Sequence, residues 1–324
     1  MFGEPGEGGI MKKLLALLVA AATLPVAVAG AAVSATVVVD LDPVLGELPE
    51  GIAVDKRGDV FFSVSPLGQV RKLDRDGSVS LLAQVVPPGS GNGPIGMAVD
   101  APGNVYVATA TFDPATSGVY KIARDGSFAR LPGTGAITFP NGIALDKAGN
   151  VYVTDTIGGA VWRVPAKGGS AAKWFESPLL LGDGSFNFGF PLGANGIAYR
   201  QNELVVGNTE KARLLRIPIN PNGNAGSASI IVEDPRLLAV DGITFDVRGN
   251  IWACVIAQST IVSVSPSGAI TAIATAADGL DWASSLAFGK NTDLWVVNFA
   301  IGPPGGPGPA VLLLDPGVKG QPLP

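Results

Sequence analysis

One motif repeats six times along this chain, and its period limits the folds open to it. The copies read Pro49-Glu50-Gly51-Ile52-Ala53-Val54-Asp55, Pro94-Ile95-Gly96-Met97-Ala98-Val99-Asp100, Pro140-Asn141-Gly142-Ile143-Ala144-Leu145-Asp146, Ala194-Asn195-Gly196-Ile197-Ala198-Tyr199, Val240-Asp241-Gly242-Ile243-Thr244-Phe245-Asp246 and a degenerate Ala283-Ser284-Ser285-Leu286-Ala287-Phe288. The aligned glycines stand at 51, 96, 142, 196 and 242, with Ser285 in the last copy, so the steps are 45, 46, 54, 46 and 43 residues. Four of the copies run from a short apolar stretch into Asp and Gly turn chemistry, and each copy continues into a second strand-like run such as Val151-Tyr152-Val153. Two further strand-like runs follow, for example Val70 to Leu73 and Val79 to Leu82. Four strands in a period of this size is a propeller blade, and a parallel β-helix repeats at much shorter intervals.

The expectation is therefore an all-β, six-bladed β-propeller with four-stranded blades. The last copy supplies only three strands, and Thr36 to Leu41 is free to act as the fourth. The N-terminal strand is expected to complete blade six and close the ring, which hides the sheet edges. Residues 36–315 then form one domain, with a C-terminal tail over 316–324. Met11-Lys12-Lys13 and the apolar run to Ala29 read as a signal peptide over 11–35, cut after Ala27-Val28-Ala29 or Val33-Ser34-Ala35. That run is short for a membrane span. Residues 1–10 precede Met11 and read as a misassigned start. The expected location is secreted or periplasmic.

Composition narrows the chemistry. The chain has no histidine and one cysteine, Cys254, which lies in a strand pattern and reads as a buried thiol. Ser-His-Asp and Cys-His catalysis, histidine metal ligands and cysteine zinc sites are thereby excluded. A net charge of −5 without a basic run leaves no footprint for nucleic acid. Catalysis would fall to carboxylates, Lys, Tyr, Arg or a metal held by oxygen.

The residue before each aligned glycine begins the inner strand of a blade and so faces the axis. Around the ring these are Glu50, Ile95, Asn141, Asn195, Asp241 and Ser284. Two carboxylates and two amide carbonyls are hard oxygen donors suited to a divalent cation, Ca²⁺ foremost. Asn and Asp before Gly also favour turns, but Glu50 in the same register is not turn chemistry. A second set at the ends of the second strands includes Thr109, Asp155, Asn208 and Asn298. These are expected either to bind substrate at the same mouth or to hydrogen-bond neighbouring loops. Asp55, Asp100, Asp146 and Asp246, with the glycines three residues on, read as structural turns at the opposite face. The long stretch from Pro178 to Pro191 carries Phe186, Phe188 and Phe190, and reads equally as a pocket wall or as a loop tucked against a blade.

These repeats resemble NHL-type repeats, and residues 36–315 resemble the six-bladed propellers of the senescence-marker-protein/gluconolactonase superfamily. That resemblance implies a divalent ion held by one Glu, two Asn and one Asp, matching Glu50, Asn141, Asn195 and Asp241. It implies that Asp241, with Glu50 beside it, is catalytic. Gluconolactonase-like members carry an Arg two residues before the blade-three Asn, and here that position is Phe139. The paraoxonase-like and streptogramin-lyase relatives use His, which is absent. A polar sugar lactone is thus disfavoured, and Phe139 joins Asp155, Asn208, Asn298 and Thr109 as expected substrate contacts.

The resulting expectation is a metal-dependent hydrolase of lactones or related esters, monomeric, acting on a small molecule with an apolar portion. The alternative is a non-catalytic propeller with a structural ion, binding a peptide, glycan or apolar ligand. A weaker third reading is a condensing enzyme like strictosidine synthase, with Asp155 as its acid.

Overall fold

A computed structural model describes residues 33–324; the expected signal peptide over 11–35 lies almost wholly outside the described residues, as do residues 1–10. The strands form six separate four-stranded antiparallel sheets arranged as the blades of a propeller. The inner strands are Pro49–Val54, Gly93–Val99, Pro140–Leu145, Ala194–Arg200, Val240–Phe245 and Ala283–Phe288. Within blades one to five the strands pair in chain order from inside to outside.

Blade six closes as expected. Its fourth strand is Thr36–Asp40, paired antiparallel with Ala310–Leu314 through Thr36↔Leu313, Val37↔Leu312, Val39↔Val311 and Asp40↔Ala310. Leu41, at the end of this strap, is buried in a cluster with Ile52, Phe62, Val297 and Val311, and Val39 packs against it. The strap therefore joins blade six to blade one by side-chain burial as well as by its ladder.

Position in the blade explains the residue pattern. Inner strands such as Pro140–Leu145 are buried at every position, which is why they read as unbroken apolar runs and not as alternation. Outer strands such as Phe128–Arg130 are exposed throughout. Gly51 and Gly196 answer to close approach and not to a left-handed backbone. A Cβ on Gly51 would overlap the Ile95 carbonyl oxygen of the next blade, and one on Gly196 the Asp241 carbonyl oxygen.

The recurring aspartates are turn-makers, as read from the sequence. The Asp146 carboxylate accepts from the Ala148 and Asn150 backbone N–H groups at 2.9 Å each, from the Asn150 amide at 2.6 Å and from the Tyr152 hydroxyl at 3.2 Å. Asp246 repeats this with Arg248, Asn250 and the Trp252 indole N–H. Gly149 supplies the left-handed turn, with φ 82°.

The tail after Leu314 does more than a loop was expected to do. Gln321 donates its backbone N–H to the Phe245 carbonyl at 2.9 Å and its side-chain amide to the Tyr199 carbonyl at 2.8 Å. The Arg200 guanidinium donates to the Gln321 side-chain oxygen at 3.1 Å. Gln321 to Pro324 thus lie across the end of the channel opposite the ring, enclosing with the inner strands a cavity of about 150 Å³. No helix among the described residues is long and apolar enough to cross a membrane.

Candidate axial metal and catalytic site

A backbone irregularity shared by the blades aims the ring residues. In blade one Pro49 pairs with Val64 and Ile52 with Phe62, so Glu50 and Gly51 together oppose the single residue Ser63. This is a β-bulge, which turns one side chain out of the regular alternation. The same two-against-one count places Asn141, Asn195 and Asp241 in blades three to five, and a register shift between Ala283 and Ser285 places Ser284 in blade six.

The residue opposite the bulge locks it. The Ser63 hydroxyl accepts the Gly51 N–H at 2.8 Å and donates to the Ile95 carbonyl of blade two at 3.2 Å. Thr154 does the same in blade three, accepting from Gly142 at 2.8 Å and donating to the Asn195 carbonyl at 2.6 Å. Ser284 donates to the Glu50 carbonyl at 2.8 Å across the closing seam. Sequence reasoning missed these hydroxyls. Their signal was a Ser or Thr in the otherwise apolar second strands of blades one and three. Cys254 occupies the equivalent place in blade five and is buried, as expected.

Glu50, Asn141, Asn195, Asp241 and Ser284 line one axial cavity of about 50 Å³, floored by Ile52, Ile143, Ile197 and Ile243. The four residues matched to the family's ligand set are thus brought together. Ile95, the sixth ring position, is buried among the side chains between blades two and three. Asn195 gives one amide N–H to the Thr209 hydroxyl at 3.1 Å, which in turn donates to the Val240 carbonyl at 2.9 Å, so the amide is held from behind.

The electrostatics of this cavity are unbalanced. Burial raises the Glu50 carboxyl well above the usual range, and the nearby Asp241 carboxyl raises it further. Burial likewise pushes Asp241 up to about 7, against a smaller downward pull from the Asn195 amide. Among the described residues no lysine or arginine offsets either group. Burial and the same two carboxyls push the Cys254 thiol up, which places it within their field.

Two buried carboxyls with no basic side chain lining their cavity, beside two amide oxygens, are the donor set that a hard divalent cation satisfies. The cavity has room for such an ion and a water or two. Among the described residues no group of three or more His, Cys, Asp or Glu side chains comes together, so the amides must complete any such set.

The second expected set has other work. Asp155 accepts from the Thr138 and Phe139 N–H groups at 3.0 Å each and from Gly158 at 3.0 Å. Asn208 donates to the Leu179 and Leu181 carbonyls at 3.0 Å and accepts from Lys211 N–H at 3.1 Å. Asn298 donates to the Gly279 carbonyl at 3.0 Å and accepts from Asp281 N–H at 2.9 Å. All three hold the loops that lead into the ring, which is the other role foreseen for them. Thr109 is buried, and its hydroxyl has no hydrogen-bond partner among the described residues. Phe139 is buried and packs against neighbouring rings.

A further positioning residue, Glu210, was not singled out from sequence. Its buried carboxylate accepts from the backbone N–H groups of Asp183 and Gly184 at 2.7 Å and of Phe186 at 3.2 Å. This pins the long connection between blades three and four. Glu210→Ala is expected to raise amide exchange at Asp183, Gly184 and Phe186 at least tenfold while leaving the strands protected, because each lost bond to a charged acceptor is worth about 1.5–3 kcal/mol. Unchanged exchange in that segment would show that other contacts hold it.

Residues 192–299 match the family described as SMP-30/Gluconolactonase/LRE-like region. The match spans about a third of the chain. It contains the inner strands of blades four to six, and with them Asn195, Asp241 and Ser284. Residues 128–154 match a β-propeller repeat. Among solved structures, a gluconolactonase from Xanthomonas campestris is 18% identical with a TM-score of 0.66, covering 91% of this chain and 95% of that one. A streptogramin B lyase is 15% identical with a TM-score of 0.64, covering 89% and 98%. A nidogen/laminin complex is 15% identical with a TM-score of 0.55, covering 74% and 84%. At these identities the likeness is one of fold. No curated protein gives a significant sequence match.

Proposed function

We propose that this propeller is a metal-dependent hydrolase of lactones or related esters, secreted or periplasmic, acting at the axial ring. The observation that carries the proposal is the pairing of Glu50 and Asp241. Both are buried and both face a cavity that no Lys or Arg side chain lines, in the company of Asn141 and Asn195. The gluconolactonase-like region and the gluconolactonase fold neighbour support the same reading.

Glu50, Asn141, Asn195 and Asp241 would hold the ion, Ca²⁺ by the hardness of the set. When bound, a divalent ion supplies Lewis acidity toward a carbonyl oxygen. The chain's own residues do the rest. Asn195, tied to Thr209, keeps its amide oriented. Asp241 accepts the proton of the attacking water, and Glu50 balances charge across the cavity. Isoleucines 52, 143, 197 and 243 close the site from below.

The test is calorimetric titration of the protein with Ca²⁺, Mg²⁺, Mn²⁺ and Zn²⁺, beside Glu50→Ala and Asp241→Ala, followed by lactone and aryl-ester turnover. Binding that either substitution lowers at least a hundredfold, with turnover lost in Asp241→Ala, is the expected result, since breaking a buried charged set costs about 3–5 kcal/mol. Turnover that survives Asp241→Ala sinks the catalytic assignment. The small volume of the cavity favours, as a second reading, an ion that only ties blades one, three, four and five together. That reading predicts ion binding and thermal stabilisation with no turnover of any ester.

A further inference from the structure

Five of the six blades set a polar side chain on the axial cavity, and blade two meets it through Gly96 and Met97. At the ring position blade two carries Ile95, where the other blades carry Glu50, Asn141, Asn195, Asp241 and Ser284. Ile95 is buried in one cluster with Phe139, and Phe190 packs against that cluster. Phe112 completes a triangle of rings. Its centroid lies 5.4 Å from Phe139 and 5.6 Å from Phe190, and those two are 5.6 Å apart.

The three rings come from separate segments: the loop after the second strand of blade two, the segment entering blade three, and the long connection into blade four. Strand direction puts all three at the end of the channel where the inner strands begin. Phe139 is two residues from Asn141, so at most about 7 Å of backbone separates them. The supporting backbone is held, because Asp155 takes the N–H groups of Thr138 and Phe139.

Phe112 is the member that core packing does not explain. It is 51% exposed, although it touches two other aromatic rings. Its backbone is left-handed, with φ 62°, a conformation unfavourable for a bulky residue. Half of the residue's surface stays open beside two packed rings, which leaves an apolar face for a further contact.

We propose that Phe112 and Phe190, backed by the buried Phe139, form an apolar subsite that receives the alkyl or aryl substituent of a ligand whose polar group lies on the axial ring. The juxtaposition sets the ligand class. An ester or lactone carrying a hydrocarbon substituent matches both halves. A polyhydroxylated sugar lactone does not, because its hydroxyls would meet aromatic rings that offer no hydrogen bonds. The subsite rests on the hydrolase reading for its reaction, but not for its binding.

Two measurements separate these. The first compares kcat/KM for γ-octalactone and γ-butyrolactone in the parent protein, in Phe112→Ala and in Phe112→Tyr. The second is calorimetric binding of 2-butyltetrahydrofuran, which has the ring and alkyl chain of γ-octalactone but no carbonyl to hydrolyse. The expected result is a preference for γ-octalactone that falls about tenfold in Phe112→Ala and is kept in Phe112→Tyr, with ether binding weakened in parallel. Ether binding that follows the same variant pattern while neither lactone is turned over supports the subsite and removes the hydrolase. Absence of ether binding, or ether binding equal in the parent protein and Phe112→Ala, overturns the subsite whatever the lactone rates.

Discussion

In the presence of a chelator the protein is expected to be about 3 kcal/mol more stable at pH 5 than at pH 8 through Asp241 alone. Asp241 is raised to about 7 in the folded state by burial, against an ordinary value of 3.8. A carboxyl raised on folding binds more protons in the folded state than in the unfolded one. Its stabilising contribution is complete below the unfolded value and is lost as pH rises through the folded value. The sensitive window thus runs from about pH 4 to about pH 8, with stability falling as pH rises. Glu50 is shifted in the same direction by the same cause and adds to the slope. Asp241→Asn keeps the shape and removes the charge, so it is expected to flatten the dependence and stabilise the chelated protein at pH 8. Urea unfolding at pH 5, 6.5 and 8 measures this directly. A chelated protein whose stability is flat across that range, or rises with pH, would mean that the two carboxyls find partners on the axis without an ion.

Removal of residues 36–41 is expected to destabilise the ring by about 5 kcal/mol or more, and to make it self-associate. The loss combines the burial of Leu41, worth about 2 kcal/mol, with part of Val39 and the ladder bonds to Ala310–Leu314. It also exposes the edge of Ala310–Leu314, whose residues Val311 and Leu312 are buried in the intact protein. Thermal unfolding and light scattering on the chain begun at Asp42 provide the check. A shortened chain that melts within a degree or two of the parent, and stays monodisperse, would show that closure does not depend on the strap. The same segment joins blade six to blade one through the packing of Leu41 with Ile52, two residues along the strand from Glu50, so loss of the strap is expected to weaken axial ion binding as well.

The legible and the illegible parts of the site divide at the bulge. Glu50, Asn141, Asn195 and Asp241 were readable because each stands before a repeated glycine, and six inner strands that converge on an axis must bring such positions together. That one backbone N–H in each bulge and one carbonyl of the next blade are satisfied by Ser63 and Thr154 was not readable. Those hydroxyls act across blade boundaries, on Ile95 and Asn195, which are 32 and 41 residues away in sequence. Asp155, Asn208 and Asn298 lie in register with a channel mouth, yet register does not say where a side chain turns. Each turns to the unpaired backbone groups of an adjacent loop, which would otherwise be buried without partners. Glu210 escaped notice for the same reason: a single acidic residue after a strand becomes an anchor only when a loop from another blade folds over it.

By itself the sequence determined the repeat, the number and order of strands, the closing strap and the turn aspartates, because each follows from period, local propensity or a missing strand. Tertiary structure decided what only close approach can decide. It turned the ring side chains inward through the bulges, laid Gln321 to Pro324 across the far end of the channel, and gathered Phe112, Phe139 and Phe190 beside the one apolar ring position. These outcomes depend on contacts between segments far apart in the chain, whose geometry no local pattern encodes.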